Sequence, residues 1–285
     1  MTENQPTMTL LGPLALRLGP ARQKLPFAGH TKQLFVYLAG HANLGIRRET
    51  LLDELWSDVA PARAQSGLNT AIWRIKQGLG PYAGFGIQTM DDLVRLSVQA
   101  PAQVDSHQLE QALAQVTASP QLEPEAYLRL LTSVKLCRGP FLDGCSSHWI
   151  LPLREKFAAM HIRALTLLMR DRAARGDYDA ALEYGRAILE LDAFREGTQR
   201  EVIWLYALNG QRAQAILQYR NLVTLLSQEL AIDPMPETTA LFSKISQATD
   251  SIVRLAARSV DEGSIDRSVV PAVCLQQSDR DASKY

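Results

Sequence analysis

Four positions in the second half of the chain recur at one fixed distance, and this restricts the fold more than any other feature of the sequence. Ala173, Gly176, Ala181 and Leu182 return as Ala207, Gly210, Ala215 and Ile216, each 34 positions later. Such a period belongs to paired antiparallel helices stacked on the next pair. The small residues let two helices approach, and the glycine closes the turn between them. The stretches GDYDAAL and GQRAQAI carry the pattern.

Upstream, Val104–Val116, Glu125–Cys137 and Leu151–Leu168 each show apolar residues at helical spacing, with Gly139–Pro140 and Pro152 as breaks or starts. The expected fold class is therefore mostly α, with a tetratricopeptide-like helical domain over residues 101–246. The repeat fades after Ile245, and residues 247–285 mix Ser, Asp and Arg with scattered apolar residues. That composition predicts a flexible tail.

The first hundred residues read differently. Met8–Leu25 alternates apolar residues with Gly12, Pro13, Gly19 and Pro20, the pattern of short strands joined by turns. Helices are predicted over Thr31–His41, Arg48–Trp56 and Ser66–Leu79, the last after Pro61 as a breaker. Gly84–Val98 predicts a hairpin turning at Asp91–Asp92. Strands, three helices and a hairpin are the order of a winged helix-turn-helix, with the hairpin as wing.

The third helix carries the functional signal. No acidic residue occurs between Asp58 and Asp91, although the 30 Lys/Arg and 30 Asp/Glu balance over the 285 residues. Leu68, Ala71, Ile72, Ile75 and Leu79 share one stripe at helical spacing. Arg63, Ser66, Thr70, Trp73, Arg74 and Gln77 gather on the opposite arc. A face with cations and uncharged donors, and no carboxylate to repel phosphate, suits the major groove of DNA.

Over residues 1–100, ten Lys/Arg stand against seven Asp/Glu, a local excess of +3. This permits phosphate binding without demanding it. No apolar run approaches the roughly 20 residues of a membrane span, and MTENQPTMTLLGPLAL lacks the features of a signal peptide. Cys137, Cys145 and Cys274 form no disulfide framework, which predicts a reduced, cytoplasmic setting.

Several ordered motifs over residues 8–246 resemble the bacterial transcriptional activator domain regulators of the antibiotic-regulatory-protein type. They are LLGPLAL, ETLLDELW and IWRIKQGLG, then VDSHQLEQAL, LCRGPFLDG, His148–Trp149, ARGDYDAALEYGRAILELDAFRE and Leu230–Pro236. Lys76 stands where the family pattern has Arg, and Ala231 replaces its common Gly. The resemblance implies an OmpR-like winged first domain over residues 1–100 that binds promoter repeats. It also implies a helical domain that supports a homodimer and contacts RNA polymerase. No Gly-x-x-x-x-Gly-Lys-Ser/Thr loop is present, so no nucleotide-driven switch is expected.

The candidate DNA contacts follow from the helical arc. Arg74 is suited to a phosphate or the O6/N7 edge of guanine, and Ser66, Thr70 and Gln77 to bases or phosphates. Asn69 and Lys76, at the flank, are suited to phosphate. Trp73 is open between stacking on sugar or a thymine methyl and packing on the wing. Arg63 before the third helix, and Arg47 and Arg48 starting the second, are candidate phosphate clamps. Arg95 on the wing is placed to reach a minor groove.

Other chemistry finds little support. Cys137, Cys145 and His148 lack a fourth ligand at zinc spacing, so neither metal nor cofactor is expected. His148, His161, Asp143 and Asp171 are acid-base types without a nucleophile motif, which reads them as surface residues rather than an enzyme site. The competing interpretation is a protein-interaction scaffold, with the helices presenting a groove and the winged domain acting as a cap.

Overall fold

The structure is a computed structural model that describes residues 5–18, 21–23, 27–80, 82–100, 102–116 and 121–247. The expected tail therefore lies outside the described residues from 248 onward. Two compact units emerge, one drawn from Met1–Ala114 and Thr132–His161, the other from Gln115–Leu131 and Ile162–Tyr285.

The first unit opens with three short strands, β1 (Thr7–Thr9), β2 (Ala15–Leu18) and β3 (Ala21–Gln23), paired antiparallel in succession. Three helices and a wing follow. Helix α1 (Gly29–Gly40) leads to a two-residue strand β4 (Ile46–Arg47), then α2 (Arg48–Leu55) and α3 (Pro61–Leu79). The wing is β5 (Phe85–Met90) and β6 (Leu93–Val98), antiparallel and turning at Asp91–Asp92 as expected. Strand β4 adds to the far edge of β6, pairing Ile46 with Val94.

The binary pattern explains the packing. Leu34, Phe35 and Leu38 of α1, Leu51 of α2 and Leu68, Ile75 and Leu79 of α3 are buried together with Val94 and Leu96 of the wing. Helix α3 begins five residues earlier than the sequence pattern indicated. Pro61 is not a breaker but stands in the first turn, where its missing N–H is no loss and its fixed φ is already helical.

Strand β7 (Gln103–Val104), too short to show a period, pairs in parallel with β1 and extends the first sheet to the order β3-β2-β1-β7. It leads into α4 (Asp105–Ala114). Asp105 is buried, and its carboxylate accepts N–H groups from Leu10 (2.8 Å), Leu11 (2.9 Å) and Ser106 (2.8 Å). Burial pushes the Asp105 carboxyl above its usual value, against the lowering effect of those hydrogen bonds.

Further along, Phe141 bridges back to Leu11. The Arg154 guanidinium donates to the carbonyls of Phe141 (3.0 Å), Leu142 (3.1 Å) and Cys145 (2.6 Å). Trp149 packs against Tyr37 of α1, with ring centroids 4.7 Å apart. These residues follow α5 (Pro124–Leu136), and Arg154 lies in the first turns of α6 (Leu151–Ala174). The divisions between the two units fall at the end of α4 and within α5 and α6.

The second unit continues with α7 (Tyr178–Leu191), α8 (Glu196–Leu208), α9 (Arg212–Leu230) and α10 (Pro236–Gln247). The 34-residue repeat appears as two copies of one turn. Gly176 (φ +74°) and Gly210 (φ +73°) are both left-handed. The Gly176 N–H donates to Ala173 and the Gly210 N–H to Ala207, at 3.0 and 3.1 Å. Ala181 and Ala215 are wholly buried. Gly185 lets α7 and α8 approach closely, since a Cβ there would lie 2.6 Å from Val202 Cγ2 of α8.

Two acid-base residues differ from the surface reading. Asp171 is fully buried. Its carboxylate accepts the Leu122 N–H (2.9 Å), the Arg175 Nε–H (3.1 Å) and an Arg172 N–H (3.1 Å). Leu122 lies 49 residues away in sequence, so local composition could not reveal it as a partner. His161 is half-buried, and desolvation lowers its pKa. Asp143 and His148 are exposed as expected. Burial, with Asp105 second, pushes the Cys137 thiol up to about 12, which keeps it a weak donor to the Ser133 carbonyl at 3.5 Å. Among the described residues, no helix is long and apolar enough to cross a membrane.

Candidate nucleic-acid interface

Helix α3 buries Ala64, Leu68, Ala71, Ile72, Ile75 and Leu79 and turns the rest outward. Arg63, Ser66, Asn69, Thr70, Trp73, Arg74, Lys76 and Gln77 are all exposed. Arg63 lies within the first turn of α3 rather than before the helix, because α3 starts at Pro61. The proposed arc is thus one continuous helical face over Arg63–Gln77. Its cations are Arg63, Arg74 and Lys76, and Pro61–Leu79 contains no carboxylate.

Supporting elements fix parts of this face. Gly67 lets α3 approach α2, because a Cβ there would stand 3.0 Å from the indole nitrogen of buried Trp56. Arg48, at the start of α2, donates from its guanidinium to the Asn69 side-chain oxygen. Asn69 is thereby left presenting its NH2 group, and Arg48 is partly engaged within the protein. On the face itself, the Thr70 hydroxyl donates to the Ser66 carbonyl at 2.9 Å. The proton of Thr70 is spent there, so outward it offers a lone pair and a methyl group.

Arg47 lies in β4, opposite Leu93, and is exposed; it precedes α2 rather than belonging to it. The Arg48 N–H is used by the Asp92 carbonyl at 2.9 Å. This ties the tip of the wing to the start of α2. Arg95 is opposite Gln88 across the wing and donates to its side-chain oxygen at 2.6 Å. Arg95 and Gln88 form the outer face of the wing, while Val94 and Leu96 form the inner one.

The wing tip carries two exposed carboxylates, Asp91 and Asp92, next to exposed Met90 and Leu93. Among the described residues, no ion pair within 4 Å involves Arg47, Arg48, Arg63, Arg74, Lys76 or Arg95. The cations of α3 are therefore not neutralised from within. The tie between Arg48 and Asn69 and the bond between Thr70 and Ser66 were not foreseen. The i, i+4 spacing of Ser66 and Thr70 is the one sequence signal that could have suggested the second.

Comparison with known proteins agrees with this architecture. The family profile "Bacterial transcriptional activator domain" matches residues 104–246, half of the chain. The transcriptional regulatory protein MoaR1 of Mycobacterium tuberculosis is 28% identical over 261 residues, covering 83% of this chain and 78% of its own. The transcriptional regulatory protein EmbR of the same organism is 25% identical over 279 residues, covering 90% of this chain and 67% of its own. The solved structure of Mycobacterium tuberculosis EmbR in complex with a low-affinity phosphopeptide matches with a TM-score of 0.68 at 21% identity, over 90% of this chain and 70% of that one. That likeness supports the fold, a mostly α chain with a winged N-terminal part. On the domain match and these relatives together, the chain belongs to the bacterial transcriptional activator domain family of transcriptional regulators, of the antibiotic-regulatory-protein type.

Proposed function

We propose that this regulator binds duplex DNA through the exposed face of α3 and activates transcription from promoters that carry repeated sites. One observation carries the reading: an acid-free helix in a winged helix-turn-helix unit holds Arg63, Ser66, Thr70, Arg74, Lys76 and Gln77 on its solvent side. Arg and Lys contacts to phosphate would supply most of the affinity and make it fall steeply with salt. Base-edge contacts from the Ser66–Gln77 face would supply specificity. The modest local charge makes a single copy a weak binder. A homodimer on adjacent repeats would raise affinity through local concentration. Contact with RNA polymerase belongs to the helical second half, and the setting is the bacterial cytoplasm, where the DNA is.

Selection of fragments from sheared genomic DNA by the full chain tests this. Recovery of one repeated motif upstream of a few operons, lost in the Thr70→Ala/Arg74→Ala variant, is the expected result. Equal recovery by wild type and variant, with both shown folded, would remove α3 from the binding surface. Arg74→Ala alone is expected to cost about 1–3 kcal/mol of specific binding if its guanidinium reads a base.

A further inference from the structure

We infer that Trp73 and Thr70 together read the 5-methyl groups of thymine in the major groove, which makes them specificity-determining residues. This rests on the proposed DNA-binding role of α3 and names what that face selects. Trp73 is 61% exposed, in contrast to Trp56, which is 4% exposed. Among the described residues, no ring lies in stacking or tilted contact with the Trp73 indole. A large apolar ring therefore stands in water at the centre of a polar, cationic face, between Thr70 and Gln77 at i−3 and i+4. Leaving it there is unfavourable unless something apolar covers it in the bound state.

The chemistry of the neighbours points to what does. The Thr70 hydroxyl proton is held by the Ser66 carbonyl at 2.9 Å, which fixes the side chain and directs its methyl and a lone pair outward. Thr70 is thus suited to a base edge that combines a methyl group with a nearby amino donor, as in a thymine beside an adenine. The floor of the major groove offers one exposed apolar group, the thymine methyl. An indole and a threonine methyl three residues apart present a continuous apolar strip to it. Arg74 and Lys76 flank that strip with positive charge. A sugar contact by Trp73 would be indifferent to that methyl group, which makes the distinction measurable.

The test takes the operator selected by the full chain and replaces its thymines one at a time by deoxyuridine, which removes only the methyl group. Affinity is then measured for wild type, Trp73→Ala and Thr70→Ser. At one or two positions, deoxyuridine is expected to weaken wild-type binding about three- to fivefold, the range for one lost methyl contact. Trp73→Ala is expected to bind the thymine operator more weakly and to lose this sensitivity. Thr70→Ser keeps the hydroxyl and is expected to lose part of it. Since Trp73 is exposed, an unchanged melting temperature should accompany its substitution. Wild-type binding indifferent to deoxyuridine everywhere, or full sensitivity retained by Trp73→Ala, would overturn the inference while leaving DNA binding intact. Unaltered DNA affinity in Trp73→Ala would also overturn it and point to a protein contact. Failure of the wild-type chain to select any operator would sink the DNA-binding role itself.

Discussion

At the scale of single residues, Ala231 shows what a departure from a family pattern costs. It stands at the C-terminal end of α9 with φ +54° and ψ +38°, in the left-handed region, and its N–H donates to the Leu226 carbonyl. Glycine is common there because it lacks the Cβ that crowds the following carbonyl. The sequence showed the substitution, and the backbone shows its consequence. Ala231→Gly is therefore expected to stabilise the protein by about 0.5–1 kcal/mol, the relief of left-handed strain less the entropy that glycine gains unfolded. A higher urea midpoint with an unchanged denaturant slope would bear this out, and a lower midpoint would contradict it. Gly185 gives the opposite case. A Cβ placed there meets Val202 Cγ2 at 2.6 Å and Met169 Sδ at 3.3 Å. Gly185→Ala is expected to destabilise by about 1–3 kcal/mol through overpacking, measured in the same titration.

At the scale of elements, legibility followed length. Helices α1, α2 and α3 and the wing β5–β6 were readable because each runs long enough to show a period of 3.6 or 2. The strands β4 and β7, two residues each, have no period to show. They exist because β6 and β1 offer edges to pair with, which local sequence does not encode. The candidate face on α3 was readable for the same reason as the helix, but the partners of its side chains were not. Arg48 and Asn69 are 21 residues apart, and only the packing of α2 on α3 brings them together. Burial across elements also sets a pH dependence. Desolvation holds His107 of α4 below the ordinary imidazole value of 6.5, opposed by Glu110 and reinforced by Lys156, and it does the same to His161 of α6. Below that value the unfolded chain takes up protons that the folded chain refuses. Stability is then full above about pH 6.5 and declines as pH falls toward the lowered folded values. The urea midpoint is expected to drop between about pH 7.5 and about pH 5.5, and to drop less in His161→Gln. An equal drop in that variant would exclude His161 as a source.

At the scale of the molecule, the winged unit does not close at residue 100, where the change of sequence pattern suggested a boundary. Its first sheet takes β7 as an edge, and the amides of Leu10 and Leu11 find their acceptor in Asp105, 95 and 94 residues away. Phe141, Arg154 and Trp149 add apolar and hydrogen-bonding contacts from still later in the chain. A fragment ending at residue 100 would leave those two amides without Asp105, at about 1–3 kcal/mol for each buried donor left unpaired. That fragment is expected to unfold with a broad transition and to lose most of its DNA affinity, while a chain ending at residue 246 keeps both. Within the full chain, Asp105→Asn separates acceptor from charge. Burial already disfavours the charged carboxylate, so its loss is not the main damage. An amide retains one oxygen and turns an NH2 toward a backbone donor, and the expected loss is about 1–3 kcal/mol. A fragment of residues 1–100 that melts sharply and binds the selected operator as tightly as the longer chain would show that these later residues rest on the winged unit without completing it.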